Sequence, residues 1–303
     1  MPDLLCLGEP MLEFNRQSAG PYGRVLYLEG HGGDTSNAAI AAARSGASVG
    51  YVTAIGTDAP GDSFMALWAR EGVDTATVRR APDAPTGLYV VTHDDQGHHF
   101  TFYRTGSAAA RLRPADLPED AIRSARILHQ AISDTACDTG FRAMDLARGA
   151  GVRVSYDTNL RLRLWPAARA AAVIHAAIAM ADIALPSLDD ATALTGLTDP
   201  DAVADFYLRL CPTVLLKCGA AGCLMATRDG RTRIPAHRVD TMDATGAGDT
   251  FAGALLARLL AGDDAVTAAR YANAAAALST TGYGAVAPIP RAAAVRALLA
   301  TAA

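Results

Sequence analysis

The stretch Asp243-Ala-Thr-Gly-Ala-Gly-Asp249-Thr-Phe-Ala-Gly253 decides how the rest of this 303-residue chain is read. It places Gly246, Ala247 and Gly248 directly before Asp249, and an apolar run to Leu260 follows. A helix over Gly248–Leu260 leaves its first backbone N–H groups without intrahelical partners. Its dipole adds partial positive charge at the same end. Small residues let that backbone come close to an anion, which makes a cradle for phosphate. A carboxylate there repels phosphate, so Asp249 needs a chemical reason to be present. Taking the proton of an attacking hydroxyl is one. The same residues also read as an ordinary helix start with a stabilising acid.

Composition narrows the class. Half the residues are apolar, 19% are charged and the formal net charge is −4. This is the profile of a soluble enzyme with no global attraction to nucleic acid, so any anion site must be built locally. The cations are 26 Arg and a single Lys, Lys217. The five cysteines form no C-x-x-C pair, and free thiols in a reducing, cytoplasmic setting are expected. The chain starts on a strand pattern rather than a signal peptide. No apolar run is long enough to span a membrane.

Apolar runs alternate with Ala-rich helical stretches, the pattern of a parallel sheet covered by helices. Strands are predicted at Leu4–Leu7, Val49–Ala54, Ile127–Gln130, Val152–Tyr156, Ile183–Leu185 and Thr213–Leu216. Helices are predicted at Ser36–Ser45, Ser63–Glu71, Thr139–Gly149, Ala167–Met180, Ala202–Leu210, Gly248–Leu260 and Val266–Thr280. Continuous apolar strands imply that both sheet faces are buried. Two stretches depart from this rhythm: a ribbon from Leu12–Arg16 and Val25–Leu28, and a hairpin of Gly87–Thr92 and His98–Arg104 around the polar turn His93–Gly97. They suggest a small second sheet acting as a lid.

Other polar clusters fall where an α/β sheet binds ligands. Gly30-His-Gly-Gly-Asp-Thr-Ser-Asn37 brings bare backbone and the polar groups of Asp34 and Asn37 to a helix start, though it also reads as a plain cap. Tyr156-Asp-Thr-Asn-Leu-Arg161-Leu-Arg163 follows a buried strand, at the sheet end that ligands favour. In extended chain only one of Arg161 and Arg163 can face a pocket. Lys217-Cys-Gly-Ala-Ala-Gly222 is either a phosphate-covering turn or a β-turn. It lacks Walker spacing, and no dinucleotide G-x-G-x-x-G follows the first strand. Tyr89, Tyr103 and Arg104 sit on the hairpin, where the aromatics can pack across strands and the guanidinium can grip a carboxylate.

Gly32-Gly-Asp-Thr-Ser-Asn37, continuing to Gly46 and Gly56, together with Asp243-Ala-Thr-Gly-Ala-Gly-Asp249, resembles the two signatures of the ribokinase-like, or PfkB, carbohydrate kinases. The resemblance spans essentially the whole chain. It implies a Rossmann-like three-layer α/β/α sandwich, one domain over 1–303, with lid segments at about 11–30 and 86–106 inserted in it. It implies Asp249 as catalytic base and the Gly246, Ala247 and Gly248 backbone as anion hole. ATP is implied along Lys217, Gly219, Ala220 and Gly222, with Ser187, Gly246, Gly248 and Asn273 also on the nucleotide side. Mg²⁺ is implied, with Asp190 acting through water; Ser187 stands where the family's N-x-x-E motif has Asn.

Within the family the likeness is to members acting on the sugar acid 2-keto-3-deoxygluconate. It rests on Gly33-Asp34, Tyr89, Tyr103-Arg104 with Ser107-Ala-Ala, and Asp157-Thr-Asn-Leu-Arg161 with Trp165. It implies a substrate site of Gly33, Asp34, Asn37, Tyr89, Tyr103, Arg104, Arg161 and Asp249, with the arginines on the substrate's carboxylate. The partners implied are the sugar acid and ATP, and a homo-oligomer joined through the lid sheet, whose edge is open. Two other readings stand beside this one. One is a fructokinase, ribokinase or nucleoside kinase, and the other a non-catalytic sugar-binding regulator on the same scaffold.

Overall fold

A computed structural model describes residues 1–17, 20, 23–94 and 97–301. Thirteen strands are described: β1 Leu4–Leu7, β2 Met11–Arg16, β3 Tyr27–Gly32, β4 Val49–Gly56, β5 Val78–Ala81, β6 Gly87–Asp94, β7 Gly97–Tyr103, β8 Ile127–Gln130, β9 Arg153–Asp157, β10 Ile183–Leu185, β11 Thr213–Lys217, β12 Cys223–Thr227 and β13 Gly230–Ile234. The described helices are α1 Asp34–Arg44, α2 Ala59–Glu71, α3 Glu119–Ser124, α4 Cys137–Gly149, α5 Ala167–Ala179, α6 Leu188–Thr195, α7 Pro200–Leu208, α8 Ala247–Leu260, α9 Ala265–Ser279 and α10 Ala292–Thr301.

Nine strands form one sheet in the order β13-β12-β11-β10-β9-β8-β1-β4-β5. Its pairs are parallel from β5 to β11 and antiparallel for β11–β12 and β12–β13. Side chains alternate across a strand, and each face here has its own core. On β1, Leu4 and Cys6 join the core under α1, α2, α8 and α9, while Leu5 and Leu7 join the core under α4, α5 and α7. This is the expected three-layer sandwich, and it explains why the strands read as unbroken apolar runs. The edge hairpin β12–β13 escaped the sequence reading, as did strand β5 and helices α3, α6 and α10. The first is short and polar at its tip, and α6 starts on a cap rather than an apolar stripe. Ser187 Oγ accepts from Asp190 N at 3.1 Å to begin α6, as a capping serine does.

The second sheet has the order β3-β2-β6-β7. Its β3 runs Tyr27–Gly32, later than the ribbon strand expected at Val25–Leu28. Residues 95 and 96 of the expected hairpin turn lie outside the described residues, as do 18, 19, 21 and 22 of the first lid segment. Val25, Leu26, Tyr27, Leu28 and Tyr103 are exposed on or beside this sheet. Among the described residues no helix is long and apolar enough to cross a membrane, and all five cysteines are free.

One contact aligns two helices that matter below. A Cβ at Gly253 on α8 would lie 2.0 Å from the Ala38 carbonyl oxygen and 2.8 Å from Ala41 Cβ on α1. Only glycine lets the helices come this close, and one turn nearer their starts Asn37 of α1 reaches Asp249 of α8.

Candidate active site

Helix α8 starts from Gly246, which sits in the left-handed region at φ 75°. A side chain there would be strained and would also press within 3.0 Å of the Ala285 carbonyl. Asp243 holds the loop in place. Its Oδ1 accepts from Thr245 N and Thr245 Oγ1 at 2.9 and 2.6 Å, and its Oδ2 accepts from Gly284 N at 2.9 Å. Beyond the turn, the N–H groups of Gly248 and Asp249 have no hydrogen-bond partner among the described residues. Two such donors at a helix N-terminus have the chemistry to receive an anion.

Asp249 lies in the first turn of α8, half-buried at the floor of the cleft. Asn37 Nδ2 on α1 donates to its Oδ2 at 2.8 Å. Burial raises the Asp249 carboxyl to about 7. The Asn37 hydrogen bond opposes this, the negative charges of Asp34 and Asp157 reinforce it, and Arg161 opposes it. A carboxylate poised near neutrality suits a general base. Asp34 Oδ1 accepts from Thr35 N and its Oδ2 from Asn159 Nδ2, each at 2.6 Å. Burial, ahead of all other causes, raises its carboxyl too.

These groups face a cleft of about 1020 Å³ at the carboxyl end of the large sheet, beneath the lid. Of the residues expected from sequence, Gly33, Asp34, Asn37, Tyr89, Arg104, Arg161, Ser187, Asp190, Lys217, Gly219, Gly246, Gly248 and Asp249 all line it. Four others do not. Tyr103 is 60% exposed on the lid's outer face; strand alternation presents Phe100 and Phe102 to the cleft instead. Ala220 lies in the short turn Gly219–Ala221 off the lining, and Gly222 packs under the Ile234 carbonyl. Asn273 donates to the carbonyls of Ile234 and Pro235 at 3.0 and 3.2 Å, tying α9 to the end of β13. Ala247 belongs to the helix start, with its N–H on Ala244 O.

The two arginines expected to share one role differ sharply. Arg104 is 7% exposed and heavily engaged. It donates to Glu9 at 2.5 Å, Asp134 at 3.1 Å, and Ser133 and Thr135 at 3.0 Å. Ser107 also donates to Glu9, so this cluster joins the strand leaving the lid to the loop that precedes β2. Arg161 is exposed, donates only to its neighbour's carbonyl, Leu160 O, at 3.0 Å, and forms no ion pair among the described residues. Arg163 donates to Phe100 O at 2.8 Å, bridging to the lid.

Sequence reading missed Glu13 and the weight of Asn159. Tyr89 donates its hydroxyl to Glu13 at 2.5 Å. With that proton committed, the Tyr89 oxygen can only accept from a ligand, which suits a sugar hydroxyl. Burial and the nearby Glu13 charge hold the phenol well above its usual range. Asn159 adopts φ 32°, the one described non-glycine residue at positive φ. Its presence in the Asp157–Arg161 stretch was the available signal, since Asn tolerates that region.

On the other side of the cleft, Asp190 Oδ2 accepts from Thr158 Oγ1 at 2.7 Å and Leu160 N at 3.2 Å. Its second oxygen has no hydrogen bond among the described residues. Among the described residues no group of three or more His, Cys, Asp or Glu is arranged to hold a metal ion. Mg²⁺ carried by a nucleotide takes most of its ligands from phosphate and water, so one carboxylate on the cleft wall fits such an ion.

Comparison with known proteins follows the same line. The profile of the pfkB family carbohydrate kinases matches residues 1–292. The chain is 34% identical over 291 residues to 2-dehydro-3-deoxygluconokinase of Thermoproteus tenax, covering 92% of this chain and 88% of that one. It is 32% identical to fructokinase-1 of Oryza sativa subsp. japonica, covering 95% and 94%. The solved structure of fructokinase with bound ATP from Xylella fastidiosa superposes with a TM-score of 0.90 at 28% identity, covering 100% of this chain and 99% of that one.

Proposed function

The chain belongs to the PfkB family of carbohydrate kinases, and on that premise we propose that it is a sugar-acid kinase. In this reading it moves the γ-phosphoryl group of ATP to the terminal 6-hydroxyl of 2-keto-3-deoxy-D-gluconate, giving the 6-phosphate. The observation that carries the acid is Arg161, a guanidinium without an ion-pair partner among the described residues, placed on the cleft wall whose charge acts on both Asp34 and Asp249. A carboxylate is the ligand a free planar fork in a cleft accepts best.

Asp34 and Tyr89 offer acceptors to the sugar's hydroxyls, and Asp249 takes the proton from the hydroxyl that attacks. The Gly248 and Asp249 N–H groups receive the phosphoryl oxygens. Mg²⁺ would be met by Asp190 and would neutralise phosphate charge when bound. Phe100 and Phe102 form an apolar wall of the lid, and excluding water there protects ATP from hydrolysis.

A second reading, fructokinase, has support of its own. The rice fructokinase is nearly as similar as the T. tenax enzyme, and the Arg104 charge is already balanced by Glu9 and Asp134. The two arginines separate these readings. Arg161→Ala should lower kcat/KM for the sugar acid by roughly 1.5–3 kcal/mol, because the anion loses a charge-assisted hydrogen bond. Its effect on fructose should be within about threefold, since a neutral sugar never used that charge. Arg104→Ala should weaken both substrates alike, through the lid anchor. Equal losses for acid and fructose in Arg161→Ala would remove Arg161 from carboxylate recognition.

A further inference from the structure

Lys217 is the only lysine among 27 lysines and arginines, and it sits where a compact charge is needed. It ends β11 with its side chain 14% exposed, and its Nζ donates to Asp157 Oδ2 at 2.5 Å. A Cβ added to Gly248 would lie 3.3 Å from that Nζ. The ammonium therefore stands directly beside the free N–H groups at the start of α8. An ammonium has three donors. Asp157 takes one, and the other two have no partner among the described residues. Asp157 is itself fixed, with its Oδ1 accepting from Asn159 N at 3.2 Å.

Behind Lys217, His129 is fully buried, its Nδ1 3.1 Å from Ser155 Oγ. Burial and the Lys217 charge lower its pKa to about 3, so the imidazole beside the lysine is neutral. A planar guanidinium is wider than an ammonium and prefers a forked partner; a single carboxylate oxygen on one side and bare backbone on the other suit the smaller group.

We propose that Lys217 is a further catalytic residue, which grips the γ-phosphoryl group as it crosses the anion hole, and that Asp157 is its positioning residue. This rests on the kinase reading above. In the transfer, the bond from the acceptor oxygen to Pγ forms, and the bond from Pγ to the β,γ-bridging oxygen breaks. The bonding pair leaves with ADP and the hydroxyl proton passes to Asp249. Lys217 keeps its proton throughout and adds a full positive charge to the partial charge of the helix start.

A lone lysine allows a direct test on the unmodified protein. Limited acetylation with acetic anhydride, read by mass spectrometry, has the Met1 α-amine as internal reference. The β,γ-imido analogue of ATP with Mg²⁺ should slow acetylation of Lys217 by at least about tenfold, because charge-assisted contacts to a γ-phosphate occlude the amine. ADP, which lacks that phosphate, should slow it by less than about threefold. Equal protection by the two nucleotides, or protection by neither, overturns the proposal.

Kinetics give a second measurement. Lys217→Met should lower kcat by about 10²–10³, the loss typical of one transition-state donor, with ADP affinity within about threefold. Because this variant strands a buried Asp157 charge, Lys217→Met/Asp157→Asn is measured beside it and should show the same loss. A folded double variant with more than about a third of wild-type kcat overturns the proposal. Failure of the kinase reading looks different: wild-type protein would release no ADP with any sugar, whatever the labelling shows.

Discussion

Asp249→Asn lowers kcat by roughly 10²–10⁴ and leaves ADP affinity within about threefold, if Asp249 is the base that takes the acceptor's proton. The amide keeps the shape and the contact with Asn37 but accepts no proton. The pH profile supplies a sharper reading. With the carboxyl raised to about 7, kcat/KM of the wild type falls about tenfold per pH unit below neutrality, as the base is protonated. That acid limb disappears in the variant. Stability moves the other way. The folded-state carboxyl lies above its unfolded value, so its stabilising contribution is present below the usual Asp range and is lost as pH rises through about 7. Asp249→Asn therefore raises the melting temperature more at pH 8 than at pH 5. Retention of more than about a tenth of kcat, with chemistry rate-limiting, would exclude Asp249 as the base.

Gly248→Val abolishes turnover more completely, by at least about 10³, while the protein still folds. Gly248 is not among the glycines at positive φ, so valine fits the backbone of the helix start. Its side chain, however, projects toward Lys217 Nζ, where even a Cβ comes to 3.3 Å, and covers the free N–H groups. The β-branch leaves few rotamers for escape. Circular dichroism and the urea midpoint report folding, and a coupled ADP assay reports turnover. A folded variant with near-normal activity would mean that phosphate does not pass over this backbone.

Much of the architecture was legible because burial on both sheet faces writes itself as unbroken apolar runs, as in Val49–Gly56, buried along its length. Ends were less legible. Helix α2 begins at Ala59, four residues before the Ser63 start expected from periodicity, because Asp58 caps it through Gly61 N at 2.9 Å and Pro60 follows. Such a start depends on one side chain, not on a repeating pattern.

In the site, glycines and acids grouped in one short stretch were readable, whereas orientation and pairing were not. Tyr103 and Arg104 are adjacent in sequence, yet alternation sends the tyrosine outward and Phe102 inward. Parity along β7 could have shown this. No local signal could have shown that Arg104 meets Glu9, 95 residues away, or that Asn37 meets Asp249, 212 residues away. Those contacts exist only once the sheet brings its strand ends together.

The most direct measurement is the kcat/KM of the wild-type enzyme for 2-keto-3-deoxygluconate, fructose and ribose, with ATP and Mg²⁺ in one coupled ADP-release assay. A cleft whose Arg161 has no ion-pair partner among the described residues predicts that the sugar acid is preferred over either neutral sugar by at least about tenfold, the lower end of one charge-assisted hydrogen bond. A preference for fructose or ribose would contradict the sugar-acid assignment outright.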